Sequence, residues 1–480
     1  MHKLKPAALA VAMAFGLAPP VAAQSSAEIN EIRDQVRQMR QDYESRIRDL
    51  EQRLQAAETK AGAAESKAGA AEQKAAKAEQ EAVKVTARQQ AETQRSGDSA
   101  FNPGVNLILQ GRYADLSQDP DNYFISGFIP SGGEVGPGPR GFSLAESELN
   151  IWANVDPYFR AFFTAAYTPE NEVEVEEAYF QTLALPQGLT LKGGRFFSGI
   201  GYLNEQHQHA WDFIDAPLPY RAFLGKQLGN DGVQLKWIAP TPIFLELGGE
   251  LARSEEFPGS ERNKNGASLW TAFGRIGGDV GTSNSWRLGL SYVRTSPQDR
   301  VYEDEDSTAT LVNNAFTGTS KLWIADFVWK WAPDGNPAER NFKFQAEYFT
   351  RDENGALTYD VDGASAGTAT GAYDADQSGW YAQAVYQFMP RWRVGARYDR
   401  LDSGTVNNAL VQTGALAPGD FPILAPFNAK LYSAMVDWSP TEFSRVRLQY
   451  TRDESRAGLA DNQIFLQYIL SLGSHGAHKF

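Results

Sequence analysis

The chain is predicted to be an all-β transmembrane barrel of about sixteen antiparallel strands, preceded by a periplasmic α-helical coiled coil. Three observations predict it. Segments of alternating polarity fill the chain from Val105 onward, and none contains the ~20 continuous apolar residues of a membrane helix. The 11 Trp, 19 Tyr and 27 Phe of this slightly hydrophilic chain suit lipid-facing positions that recur at every second residue. Connections between the segments alternate between tight and long, as the turns and loops of outer-membrane barrels do.

Taken in order, residues 1–23 read as a secretory signal. Lys3 and Lys5 form a basic start, Ala7 to Ala18 an apolar stretch, and V-A-A ending at Ala23 a cleavage site. Residues 24–94 read as coiled coil. Ile29, Ile32, Val36 and Met39 are spaced 3-4-3, and three A-A-E-x-K-A-[GA] heptads then set Ala57, Ala61, Ala64 and Ala68 on one seam. A solvated single helix remains the alternative, because an alanine seam buries little area. Gly97 and Pro103 in the stretch 95–104 end the helix as a linker, and the barrel occupies 105–480.

The tight connections are marked by proline: V-D-P at 155–157, L-P at 185–186, W-I-A-P at 237–240, W-A-P at 331–333, F-M-P at 388–390 and W-S-P at 438–440. With G-G-D-V-G-T-S-N (277–284) they make seven turns, each joining an even strand to the next odd one. Sixteen strands with both ends on one side require that number. Ile464, Leu466, Tyr468, Leu470 and Leu472 share one face of the last segment, and Phe480 keeps their parity. Strands are expected at 320–331, 341–351, 379–388 and 391–400, with the acids Glu303–Asp306, Asp360, Asp362, Asp374 and Asp376 in outer loops.

Composition narrows the function. There is no Cys, which excludes disulfides, thiolate metal sites and Cys nucleophiles. A net charge of −14 disfavours nucleic acid as a partner. No nucleophile elbow, zincin or phosphate-loop motif is present, so no enzymatic activity is expected. The expected surroundings are outer-membrane lipid and lipopolysaccharide.

With its signal, coil and sixteen-strand barrel, the chain resembles the trimeric outer-membrane porins of the DcaP-like and phosphate-selective groups. The stretch G-R-F-F-S-G-I-G-Y-L-N-E-Q-H-Q-H-A-W-D-F-I-D-A-P-L-P-Y-R-A-F-L-G also resembles outer-membrane proteins labelled zinc-regulated or TonB-dependent receptors, although no plug domain is present. The porin resemblance implies a homotrimer that passes small hydrophilic solutes or ions. A metal uptake receptor and a tether touching the periplasmic cell wall or peptidoglycan through the coil are the alternatives. It further implies that the 198–230 loop enters the lumen, with Glu205, His207, His209, Asp212, Asp215 and Arg221 at a constriction. A packed outer loop anchored by Trp211, Phe213 and Tyr220 is the competing reading.

His207-x-His209 beside Glu205 and Asp212 offers imidazole and carboxylate, ligands suited to Zn²⁺ or another divalent cation. His475 and His478 form a second pair near the C terminus. Strand parity sets Arg391, Arg393, Arg397, Arg445 and Arg447 in the lumen, facing an acidic wall of Glu146, Glu148, Glu174 and Glu176. Such walls either set a transverse field across a pore or fill a wet lumen with paired charge.

Overall fold

The computed structural model describes residues 103–473 except 133, 134, 170 and 263, together with scattered helical residues between 37 and 59. The chain divides into two units, residues 1–99 and 100–480. In the first unit the described residues are helical and exposed, with i,i+4 ion pairs Arg40–Glu44 at 3.2 Å and Asp49–Arg53 at 3.1 Å. The signal segment, most of the coil seam, His475, His478 and Phe480 lie outside the described residues.

In the second unit one antiparallel sheet closes on itself. Strand β1 (Gly104–Leu116) pairs with β16 (Asp461–Gly473) from Asn106↔Gly473 to Leu116↔Gln463. Between them run β2 (Gly141–Leu144 and Ser147–Asn154), β3 (Phe159–Tyr167), β4 (Val173–Thr182), β5 (Leu189–Phe197), β6 (Gly229–Ile238), β7 (Phe244–Arg253) and β8 (Leu269–Val280). The second half holds β9 (Asn284–Thr295 and Arg300–Glu305), β10 (Leu311–Trp331), β11 (Asn341–Tyr359) and β12 (Ala369–Met389). Last come β13 (Trp392–Asn408), β14 (Lys430–Thr441), β15 (Ser444–Glu454) and β16. Both segments of β2 pair with β1, and both segments of β9 with β10, so the wall has sixteen strands. Closure gives every strand a neighbour on both sides, the condition for a sheet to exist in lipid.

The predicted turns join even strands to odd ones as expected. Pro440 differs from the other five turn prolines, lying at a register shift inside the end of β14 rather than in a turn. The outer ends depart from prediction. Strands β10 to β13 run 17 to 21 residues, while β2 to β7 pair over much shorter spans. Glu303, Asp304 and Glu305 therefore stand in β9, and Asp374 and Asp376 in β12, rather than in loops. Side-chain alternation there is masked by Gly, Ala and Thr, which carry little polarity signal.

The wall inverts the logic of a water-soluble sheet. Along β16 the polar Asp461, Gln463 and Gln467 are buried, whereas Ile464, Leu466, Tyr468 and Leu470 are 42–47% exposed. An apolar face directed outward gains its stability from hydrocarbon rather than from a core. Aromatic pairs ring this face at two levels. Trp329–Phe342 (5.5 Å) and Trp392–Trp438 (5.9 Å) lie toward the tight turns, and Tyr292–Trp323 (4.6 Å) and Tyr398–Tyr432 (5.0 Å) above them. On β10, β13 and β14 the two levels stand six residues apart, about 20 Å along the chain. Leu466→Arg at mid-strand is expected to cost about 2–4 kcal/mol, measured by urea unfolding from lipid vesicles. Among the described residues no helix is long and apolar enough to cross a membrane.

Candidate functional site

The connection from β5 to β6 folds inward. Its sequence dictates this: Ile200, Leu203, Trp211, Phe213, Ile214, Leu218, Tyr220, Phe223 and Leu224 are all at most 4% exposed. Pro217 opens the short helix α1 (Leu218–Leu224), whose seven residues are all buried, and Gly225 closes it at φ 65°, a left-handed position that suits glycine. The helix packs against inward-facing Leu322, Ile324, Phe349, Tyr381, Leu401 and Leu431, together with Ile125 and Phe128 of the β1–β2 loop. Phe223 stacks on Phe349 with centroids 6.1 Å apart.

Polar anchors hold the loop around the circumference. Glu347 of β11 accepts from the backbone N–H groups of Tyr202 (3.0 Å) and Leu203 (3.2 Å) and from the Tyr220 hydroxyl (2.9 Å). Asp399 of β13 accepts from Leu218 N (3.2 Å), and Gln449 of β15 from Ile214 N (2.8 Å). Glu250 of β7 accepts from Gly199 N at 2.7 Å.

The predicted loop residues meet opposite charge. Asp212 lies 2.6 Å from Lys343 and 3.1 Å from Arg393. Asp215 bonds Arg397 at 2.7 Å and also pairs with Arg221. Burial disfavours charge on both carboxyls, yet these cations hold them below the usual carboxylate range. Arg221 donates to the Ala216 carbonyl (2.8 Å) and the Tyr123 hydroxyl (3.1 Å). Glu205 faces Arg275 at 3.1 Å.

Arg393, Arg397, Arg445 and Arg447 stand inside the barrel, and Arg447 donates to the Trp211 carbonyl at 2.9 Å. Arg391 does not. It occupies the tight turn between β12 and β13 at φ 72°, exposed, because the hairpin ends one residue later than alternation alone suggests.

A different chemistry faces β2 and β4. His207 Nδ1 lies 3.3 Å from Glu148 Oε2 and 3.2 Å from Glu176 Oε2, and its Nε2 lies 3.0 Å from Glu177 Oε2. His209 Nδ1 lies 2.7 Å from Glu148 Oε1, and the two imidazoles stack with centroids 5.8 Å apart. Burial opposes charge on His207, but the surrounding carboxylates hold its pKa well above the usual imidazole value. Glu146, in the break of β2, pairs with Lys226 at 2.7 Å. Glu174, on inward parity opposite Ala166, is exposed.

Glu177 escapes sequence reasoning. In E-V-E-V-E-E strict alternation sends it outward, but a bulge between Val175 and Glu177 leaves Glu176 unpaired and turns both carboxylates to the same histidine. Ladder pairing of β4 with β5 stops at Ala178↔Arg195, and Glu177 Oε1 instead accepts from Phe197 N at 3.3 Å. Lys343 and Glu347 were legible, since both lie on the polar parity of N-F-K-F-Q-A-E-Y. Toward the tight turns, a cavity of about 910 Å³ extends from this cluster, lined by His207, His209, Glu177, Glu205, Lys236 and Arg160 among others.

No family model matches the chain. A protein of Aquifex aeolicus (strain VF5), described as an uncharacterized protein, is 31% identical over 407 residues, covering 79% of this chain and 80% of that protein. Among solved structures, the trimer form of the outer membrane protein OmpT of Vibrio cholerae is similar at a TM-score of 0.47 and 10% identity, over 77% of this chain and 99% of that one. The outer membrane channel DcaP of Acinetobacter baumannii is similar at a TM-score of 0.44 and 12% identity, over 78% and 99%.

Proposed function

We propose that this chain, which belongs to one family with the Aquifex aeolicus protein, is an outer-membrane channel for passive diffusion of small hydrophilic solutes or ions, narrowed by the 198–230 loop. The observation that carries the proposal is a closed barrel, apolar outside, whose polar interior is crossed by a charged loop bonded to walls on all sides. Arg393, Arg397, Arg445 and Arg447 stand inside one side of the barrel wall and Glu146, Glu148, Glu176 and Glu177 inside the other, which supports a field across the lumen.

Single-channel recording in planar bilayers, with the zero-current potential measured across a salt gradient, tests the reading. Discrete conductance steps are expected, and a folded protein that never opens a pore would sink it. Arg445→Glu is expected to keep the conductance steps and move the zero-current potential toward cation preference, because it reverses one lumen charge without removing a salt-bridge partner of the loop.

The channel is further proposed to be a homotrimer with its coil in the periplasm. Strand β1 begins at the end of the barrel that bears the tight turns, which supports that side for the preceding segment. Cross-linking of the membrane-embedded protein distinguishes a trimer from a monomer.

A further inference from the structure

We propose that Glu148, Glu176 and His207 form a site for one divalent transition-metal cation of the zinc class, fastening the loop to β2 and β4. Glu177 and His209 support it from outside the ligand set. The consequence for conductance rests on the channel reading above; the metal site itself does not.

One ligand atom from each of the three residues lies within 4.8 Å of the other two. A tetrahedral zinc with bonds of about 2.0 Å has ligand–ligand edges of about 3.3 Å. The His207 Nδ1 separations of 3.3 Å to Glu148 and 3.2 Å to Glu176 match that edge. The second observation is an orphaned atom. Glu148 is 0% exposed, and its Oε2, aimed at the cluster, has no hydrogen-bond partner and only the His207 imidazole, 3.3 Å away, to offset its charge. A buried carboxylate oxygen without a hydrogen bond is costly, and a bound cation would relieve it more fully than an imidazole shared with Glu176 and Glu177.

The contrast within the loop points the same way. Asp212, Asp215 and Glu205 are answered by lysine and arginine, which are permanently charged fasteners. Glu148 and Glu176 are answered by imidazole, a base that is equally a ligand. One imidazole with two carboxylates is a hard-to-borderline donor set suited to zinc, cobalt or manganese rather than copper(I). His209 Nδ1 on Glu148 Oε1 orients the carboxylate as an outer-sphere partner does. The 910 Å³ cavity reaches His207, giving an ion an approach and leaving a coordination position for water.

Equilibrium dialysis of the folded, detergent-solubilised protein against Zn²⁺ is the test, with Co²⁺ as a spectroscopic substitute. One zinc per chain is expected, with tetrahedral cobalt bands. Glu148→Gln and His207→Ala are each expected to weaken binding at least ~10-fold and to remove those bands. Glu176→Gln, on another strand, serves if either variant misfolds by circular dichroism. Absence of stoichiometric zinc from a wild-type protein that still conducts would overturn the proposal and leave the channel standing. Unchanged binding in the folded variants would overturn it as well. Zinc binding lost with these residues, in a protein that never conducts, would uphold the site and remove the channel.

Discussion

Replacing residues 205–226 with a short Gly–Ser linker is expected to raise single-channel conductance several-fold. The segment crosses the lumen: α1 and its flanks pack on β10, β11, β12, β13 and β14 through Leu322, Phe349, Tyr381, Leu401 and Leu431, while His207 and His209 reach β2 and β4 on the other side. Closure of the wall does not depend on it, because the ladder from β1 to β16 is complete without the loop. Excision therefore leaves a barrel with Arg393, Arg397 and Glu347 exposed to water. Conductance in planar bilayers measures the change. A value equal to the wild type would place the narrowest point elsewhere, with the second apolar cluster around Phe316, Tyr359 and Phe421 as the next constriction to test.

Glu347→Leu is expected to release the loop while sparing the barrel. The carboxylate is 2% exposed and accepts two backbone N–H groups and the hydroxyls of Tyr220 and Tyr381. Leucine keeps the volume but strands each donor, at about 1–3 kcal/mol apiece. That loss weighs against a loop whose ordering already costs about 1–2 kcal/mol of backbone entropy per residue. Arg221, buried in the wild type, and half-buried Lys226 then become cleavable by trypsin in the folded, membrane-inserted protein. Mass spectrometry of the fragments reads the outcome, and resistance equal to the wild type would refute the anchoring role. Glu347→Gln, which keeps an acceptor, is expected to fall between the two.

The barrel was legible because its signals are redundant. Six prolines and one glycine-rich turn all report the same side, and apolar parity in β16 survives from Ile464 to Leu472. The height of β10 to β13 was not legible. Their outer halves read G-A-L-T-Y and A-T-G-A-Y, where small residues give no alternation, and pairing is set by neighbours such as Leu357↔Gly371. The charged loop residues were legible as a group from composition, but not their partners. Arg275, Lys343 and Glu347 come from strands distant in sequence, so closure alone juxtaposes them with Glu205, Asp212 and Tyr202. The bulge at Glu176 defeats a period-two reading in principle, since a single extra residue transfers everything after it to the other face.

The loop's anchors also set an order of events. It occupies the middle of the chain, yet Ile214 bonds Gln449, 235 positions away, and His209 meets Glu148, 61 positions before it. Contacts so remote in sequence form late. The seat is complete only when β15 has joined the sheet, so full docking of the segment is expected after the wall is built. A seated loop is thus a certificate that assembly has finished, issued by the last strands to one of the first connections.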